Sequence, residues 1–273
     1  MLKLPSRVSK ASLLLAVISI PLLAGCGTSG SSSGSEEHGS KRDAAHAEVH
    51  WSYEGDTGPG HWGALKKEWA LCGTGRQQSP IDITETAARD LANIVFHYQA
   101  AAGEIVNNGH TVQVNLQPGC WIEISGTRFD LVQFHFHAPS EHTIGGREAA
   151  AEMHLVHQSA KGELAVVGVL LQAGSGHAAY GKVMAQVPAA AGPGVALEAP
   201  LNPAELLPAD PRTYRYTGSL TTPPGTEGVR WNVMTEAVEL SPEQLGVFKA
   251  VYPNNRRPVQ GLNGREVVRD VTK

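Results

Sequence analysis

The chain holds three cysteines in 273 residues, too few for a disulfide-dense scaffold. Aromatic side chains make up only 6% of it, and basic residues are outnumbered, 22 Lys and Arg against 26 Asp and Glu, for a formal net charge of −4. That deficit of positive charge argues against a nucleic-acid partner. The long apolar run, SLLLAVISIPLLAGC, is too short and too weakly flanked for a membrane-spanning helix. What remains, 41% hydrophobic and 18% charged, is an ordinary globular composition able to bury a core.

Lys3, Arg7 and Lys10 precede that apolar run, so residues 1–25 read as a secretory signal. The run ends in Leu23-Ala24-Gly25-Cys26, which resembles a bacterial lipobox, with Cys26 lipidated as the new N-terminus; a plain signal peptide is the other reading. Loss of three positive charges with the leader takes the formal net charge from −4 to −7. Residues 26–47 are Gly/Ser-rich and then charged, without a hydrophobic period, and are expected to form a flexible tether. The expected location is the cell envelope, periplasmic or on the outer surface, with the membrane reached through the lipid on Cys26.

From residue 48 the composition changes, as Trp51, Tyr53, Trp62 and Trp69 arrive together. No internal repeat and no second linker follow, so 48–273 is expected to be one domain. Short β-type runs dominate it: NIVFHY, TVQVNL, WIEISG, DLVQFHFH, AEMHLVHQ, LAVVGVLLQ, RTYRYTGSL and GVRWNVM, punctuated by Gly, Asn and Pro. Helix signals are few: Ser241 as a cap before Pro242, and a segment near 175–187. The expected fold is mostly β (α+β), a large twisted, predominantly antiparallel central sheet with short peripheral helices. Cys72 and Cys120 are left as either a disulfide pair or two buried thiols, because spacing does not decide contact.

Strand side chains alternate faces. In QFHFH, Gln133, His135 and His137 therefore share one face while Phe134 and Phe136 take the other; in AEMHLVH, Glu152, His154 and Val156 oppose Met153, Leu155 and His157. If the two strands are near neighbours, His135, His137 and His154 converge. Three neutral imidazoles with an open fourth position are what a catalytic zinc requires. Gln133 and Glu152 each stand two residues before a histidine, where they can accept its N–H and fix the tautomer.

Those residues belong to a longer series: GRQQSPIDI at 75–83, NNGHTVQV at 107–114, QFHFH at 133–137, SEHT at 140–143, AEMHLVH at 151–157, LAVVG at 164–168, SLTTPPGTEGVRW at 219–231 and NNRRPVQ at 254–260. In that order they strongly resemble the alpha-class carbonic anhydrases, from about residue 50 to about residue 260. The resemblance implies Zn2+ on His135, His137 and His154, and reversible hydration of carbon dioxide to bicarbonate and a proton by zinc-bound hydroxide. It also implies Gln133, Glu152 and Asn255 as the groups behind the ligands, Asn255 acting on His137 through its backbone. By the same resemblance Thr221 donates to Glu141 and orients the nucleophile, and Thr222 contacts bicarbonate or ordered water. Val156, Val166, Leu220, Val229 and Trp231 would line the apolar pocket for carbon dioxide. His110 would carry the proton out, with Tyr53, Asn108 and Gln113 ordering the water between. His61, His97, His142, His157 and His177 are left as structural or surface residues.

One departure stands out. Secreted members commonly pair a cysteine just before QSPI with one directly after TTPP; Cys72 fits the first position, but Gly225 occupies the second, so that disulfide cannot form. Bacterial relatives are often dimeric, which makes a homodimer an implication of the resemblance. Two other functions compete with hydration: a silent carbonic-anhydrase-like recognition module, which should lack a ligand histidine, Glu141 or Thr221, and a zinc hydrolase of esters, which a comparison of the two activities separates.

Overall fold

In the computed structural model, residues 49–272 are described. The leader, Cys26 and the tether lie outside them. Among the described residues no helix is long and apolar enough to cross a membrane.

All eight β-type runs form strands. The centre of the sheet is Thr127–His137, paired antiparallel with Ala151–Ser159, which pairs antiparallel with Leu164–Ala173. Val112–Leu116 and Gly103–Asn107 extend it antiparallel on one side. On the other side Leu164–Ala173 pairs parallel with Glu227–Met234, which takes Thr213–Ser219 antiparallel. The sheet is thus mixed, with antiparallel pairing in the majority. Parallel neighbours need a long crossover, and residues 174–226 supply it, carrying the helix Ala178–Met184.

Alternation divides the side chains as the period of two requires. Phe134, Phe136, Met153, Leu155, Val167 and Val169 point into one large core, all essentially solvent-free. Full burial of such side chains contributes about 1.5–3 kcal/mol each. The helix Pro242–Val251 closes that core with Leu245 and Phe248. Its start is the expected one: Ser241 Oγ accepts from Gln244 N, and the Gln244 side chain accepts from Ser241 N, which satisfies two orphan donors.

The opposite face carries a second cluster, including Val166, Val229, Trp231 and Val233, beside a polar row. Register makes that row: Gln113 stands opposite His135, His135 opposite His154, and His154 opposite Gly168. Gly168 is there for space, since a Cβ would sit 3.0 Å from Glu152 Oε1 and 3.7 Å from Trp231. Cys72 and Cys120 are both buried free thiols, so the disulfide alternative between them is not the one adopted.

Candidate metal centre and active site

The two histidine-bearing strands are direct neighbours, which settles the convergence that alternation left conditional. One ring nitrogen of each of His135, His137 and His154 lies within 4.8 Å of those of the other two. The remaining ring nitrogens each face a different acceptor: His135 Nδ1 meets Gln133 Oε1 at 2.8 Å, His137 Nδ1 meets the carbonyl of Asn255 at 2.7 Å, and His154 Nε2 meets Glu152 Oε1 at 2.9 Å. An amide oxygen, a carbonyl and a carboxylate can only accept, so each of these nitrogens carries the hydrogen. The lone pairs are therefore left on His135 Nε2, His137 Nε2 and His154 Nδ1.

Electrostatics favours the neutral form of His135 and His137. Burial, then the neighbouring imidazoles, hold His135 well below its ordinary pKa; burial likewise lowers His137 against the pull of Glu141. Burial also works against a charged His154, but Glu152 outweighs it and raises the net value. Glu152 itself is depressed well below the usual carboxylate range: its burial opposes ionisation, and His142 and His154 overcome that cost. His137 Nε2 and Glu141 Oε2 are buried with no hydrogen-bond partner. Orphaned buried polar atoms call for an explanation, and an aprotic nitrogen among three convergent imidazoles fits a divalent metal.

Glu152 does more than the sequence suggested. Its Oε2 accepts the backbone N–H of Glu141 (2.9 Å) and of His142 (2.8 Å), and its Oε1 also faces His142 Nδ1 at 2.7 Å. His142 Nε2 reaches Tyr216 Oη at 2.7 Å, and that hydroxyl meets Ser79 Oγ at 2.8 Å. His142, Tyr216 and Ser79, not singled out in the sequence, thus form a buried chain behind the ligand His154. Arg257 was missed as well. Its backbone N–H donates to Glu141 Oε1 at 2.8 Å, while its buried guanidinium holds Gln78 Oε1, Ser79 O and Cys72 O.

One expected contact is not made. Glu141 Oε2 accepts no hydrogen bond, from Thr221 or from any other described residue. The carboxylate's Oε1 accepts from Arg257, and its Oε2 stands 3.6 Å from His137 Nε2 and 3.9 Å from His154 Nδ1.

The apolar residues do come together. Val166, Val229 and Trp231 are buried in one cluster, with Val156 and Leu220 packed partly buried against it. Its Trp231 ring stands 4.8 Å from the His154 ring, edge to face, so the apolar wall adjoins the imidazoles. Thr222 lies half-buried in the turn beyond Leu220. Asn108 Oδ1 accepts the N–H groups of His110 and Thr111, both at 2.9 Å, and so shapes the loop that carries His110. Gln113 Nε2 donates to Asn115 at 2.7 Å. Burial first, then Glu141 and Tyr252, raise the Tyr53 pKa well above its ordinary value, which keeps its hydroxyl a neutral donor.

Fold and site together define a class: a mixed β-sheet protein whose three inward imidazoles can hold a metal beside an apolar wall. The family model described as eukaryotic-type carbonic anhydrase matches residues 57–271. A carbonic anhydrase of Klebsiella pneumoniae is 45% identical over 222 residues, covering 80% of this chain and 90% of that one. Another from Nostoc sp. is 42% identical over 226 residues, covering 81% and 86%. The alpha-carbonic anhydrase of Thermovibrio ammonificans, solved with the inhibitor sulfanilamide, superposes with a TM-score of 0.79 at 44% identity, covering 81% of this chain and 100% of that one. The chain belongs to the eukaryotic-type (alpha) carbonic anhydrase family and is an enzyme of that class.

Proposed function

We propose that this enzyme is zinc-dependent and hydrates carbon dioxide reversibly to bicarbonate and a proton, with His110 carrying the proton out. The observation that carries the reading is the tautomer lock: three acceptors fix three N–H groups outward, so three lone pairs meet. A zinc ion held by His135, His137 and His154 would supply a Lewis acid that makes water nucleophilic at neutral pH.

The chain's own groups do the rest. Gln133, Asn255 and Glu152 hold the rings in place. Val156, Val166, Leu220, Val229 and Trp231 offer an uncharged substrate an uncharged surface and exclude water from it. Glu141 Oε2 is a buried acceptor with no partner, suited to accept a hydrogen bond from the Thr221 hydroxyl; a threonine has one proton to donate, so its acceptor dictates where its lone pairs point. Thr222 would contact bicarbonate. Tyr53, Asn108 and Gln113 would order water between the site and His110, whose imidazole, its pKa pushed down to about 4 by burial and by His50, would release a proton readily to solvent.

The test is metal analysis of the purified chain together with stopped-flow hydration, with and without a chelator. Bound zinc and hydration that disappears on chelation and returns with zinc are expected; hydration that survives complete metal removal would refute the reading. The leader and Cys26 support export and lipid anchoring in the envelope. Mass spectrometry of the mature N-terminus should find a lipidated Cys26, and an unmodified one would overturn that assignment.

A further inference from the structure

Gln113, Asn115 and Glu104 form a hydrogen-bonded row on the face of the sheet that carries the imidazoles. Pairing puts them there: Gln113 stands opposite His135, and in the antiparallel pair Gly103–Asn107 and Val112–Leu116 Glu104 stands opposite Asn115. Residues directly opposite share a face, with Cβ atoms about 4.5–5.5 Å apart. The row therefore starts beside a metal-site ring, passes two half-buried amides and ends at an exposed carboxylate. Along it, Gln113 Nε2 donates to Asn115 Oδ1 at 2.7 Å, and Asn115 Nδ2 donates to Glu104 Oε1 at 3.0 Å. The other oxygen of Glu104 lies against Gly194, where a Cβ would stand 2.5 Å from Oε2, so the glycine makes room for the carboxylate.

The row has a direction. A carboxylate has no hydrogen to give, so Asn115 must turn its Nδ2 toward Glu104. Its Oδ1 is then the atom offered to Gln113, which must answer with Nε2. The Gln113 oxygen is the end left for the cavity beside His135. An amide oxygen accepts from water but repels an anion, whereas an amide N–H would bind one.

We propose that Glu104 is a positioning residue that acts through Asn115: it holds the Gln113 amide with its oxygen toward the metal site, and so weakens the hold of that wall on bicarbonate. The inference rests on the reading of the site as one that forms and releases bicarbonate. Only the orientation of two amides is involved, and no covalent bond is made or broken.

The test reverses the row in the zinc-loaded full chain. An ammonium only donates, so in Glu104→Lys Asn115 should turn its Oδ1 to the lysine and its Nδ2 to Gln113, leaving Gln113 Nε2 to face the cavity. Asn115→Ala cuts the row, and in that background the same change of charge acts without it. In the dehydration direction, Glu104→Lys should lower KM for bicarbonate by about threefold more in the parent than in Asn115→Ala, the scale of one net hydrogen bond. Independently of turnover, the side-chain NH2 resonances of Gln113, identified by their loss in Gln113→Glu, should shift between the parent and Glu104→Lys. They should not shift between Asn115→Ala and Asn115→Ala/Glu104→Lys. Equal changes of KM in the two backgrounds, or Gln113 resonances that Glu104→Lys leaves in place, overturn the proposal. A parent that does not interconvert carbon dioxide and bicarbonate at all would sink the proposed function instead, and the resonances would still judge the row.

Discussion

The backbone carbonyl of Asn255 accepts the Nδ1–H of His137 at 2.7 Å, so a metal-site imidazole is held by main chain from a loop 118 residues away in sequence. The Asn255 side chain fastens that loop: its Oδ1 accepts from Ala138 N at 2.9 Å, and its Nδ2 donates to the carbonyls of Phe136 (3.0 Å) and His110 (3.1 Å). Asn255→Ala therefore strands buried groups on the ligand strand. Leaving them unsatisfied should cost about 2–4 kcal/mol of stability, read as a lower urea midpoint with an unchanged m-value.

Glu141 is buried, with Oε1 committed to Arg257 and Oε2 unpartnered beside two imidazoles. In Glu141→Gln one oxygen becomes a donor, which can no longer accept from the Thr221 hydroxyl and set its orientation. The second-order constant for hydration should fall by about 100-fold, the scale for losing one oriented hydrogen bond in a transition state. Zinc content should stay at the parent level. An unchanged second-order constant would exclude the orienting role.

Much of this was legible in the sequence because it is local. Alternation in 133–137 and 151–157 separates Phe134 and Phe136, which enter the large core, from His135 and His137, which meet His154 on the other face. The box at Ser241 and Gln244 likewise involves residues three apart. What was not legible depends on pairing between distant segments. The parallel register of Val166 with Trp231 follows from a long crossover that no periodicity announces. His142 reads as an ordinary residue of SEHT until the sheet places Glu152 beneath it, and Arg257 becomes important only because residues 72–79 pack against it. Nor could the pattern give the position of the Glu141 carboxylate, whose Oε2 is left without a partner.

His157 shares its strand with His154 but points into the large core, where its Nε2 meets Tyr98 Oη at 2.7 Å. Burial pushes its pKa down to about 3, only partly offset by backbone carbonyls and the carboxylate of Asp130. The unfolded chain binds that proton near pH 6.5 and the folded one does not, so stability is complete above 6.5 and falls as pH drops toward 3. The slope approaches about 1.4 kcal/mol per pH unit. Urea titrations at pH 7 and 4.5 should show this loss in the parent and a shallower one in His157→Gln. Parallel losses in the two proteins would assign the acid sensitivity elsewhere.

Gly225 closes the argument about the cysteines. A Cβ built there would stand 2.7 Å from Cys72 Sγ, close enough for a side chain at 225 to reach the buried thiol. Gly225→Cys should therefore bond to Cys72 when the chain folds under oxidising conditions; burial raises the Cys72 pKa, so attack after folding should be slow. Closing so long a loop restricts the unfolded chain and should add about 2–4 kcal/mol in the oxidised form. The reduced form should be weaker than the parent by about 1–2 kcal/mol, because φ at 225 is +70°, a conformation that favours glycine. Thermal midpoints with and without reductant check both signs. A variant whose introduced thiol stays titratable, with a midpoint indifferent to reductant, would show that residue 225 and Cys72 do not approach as the fold places them.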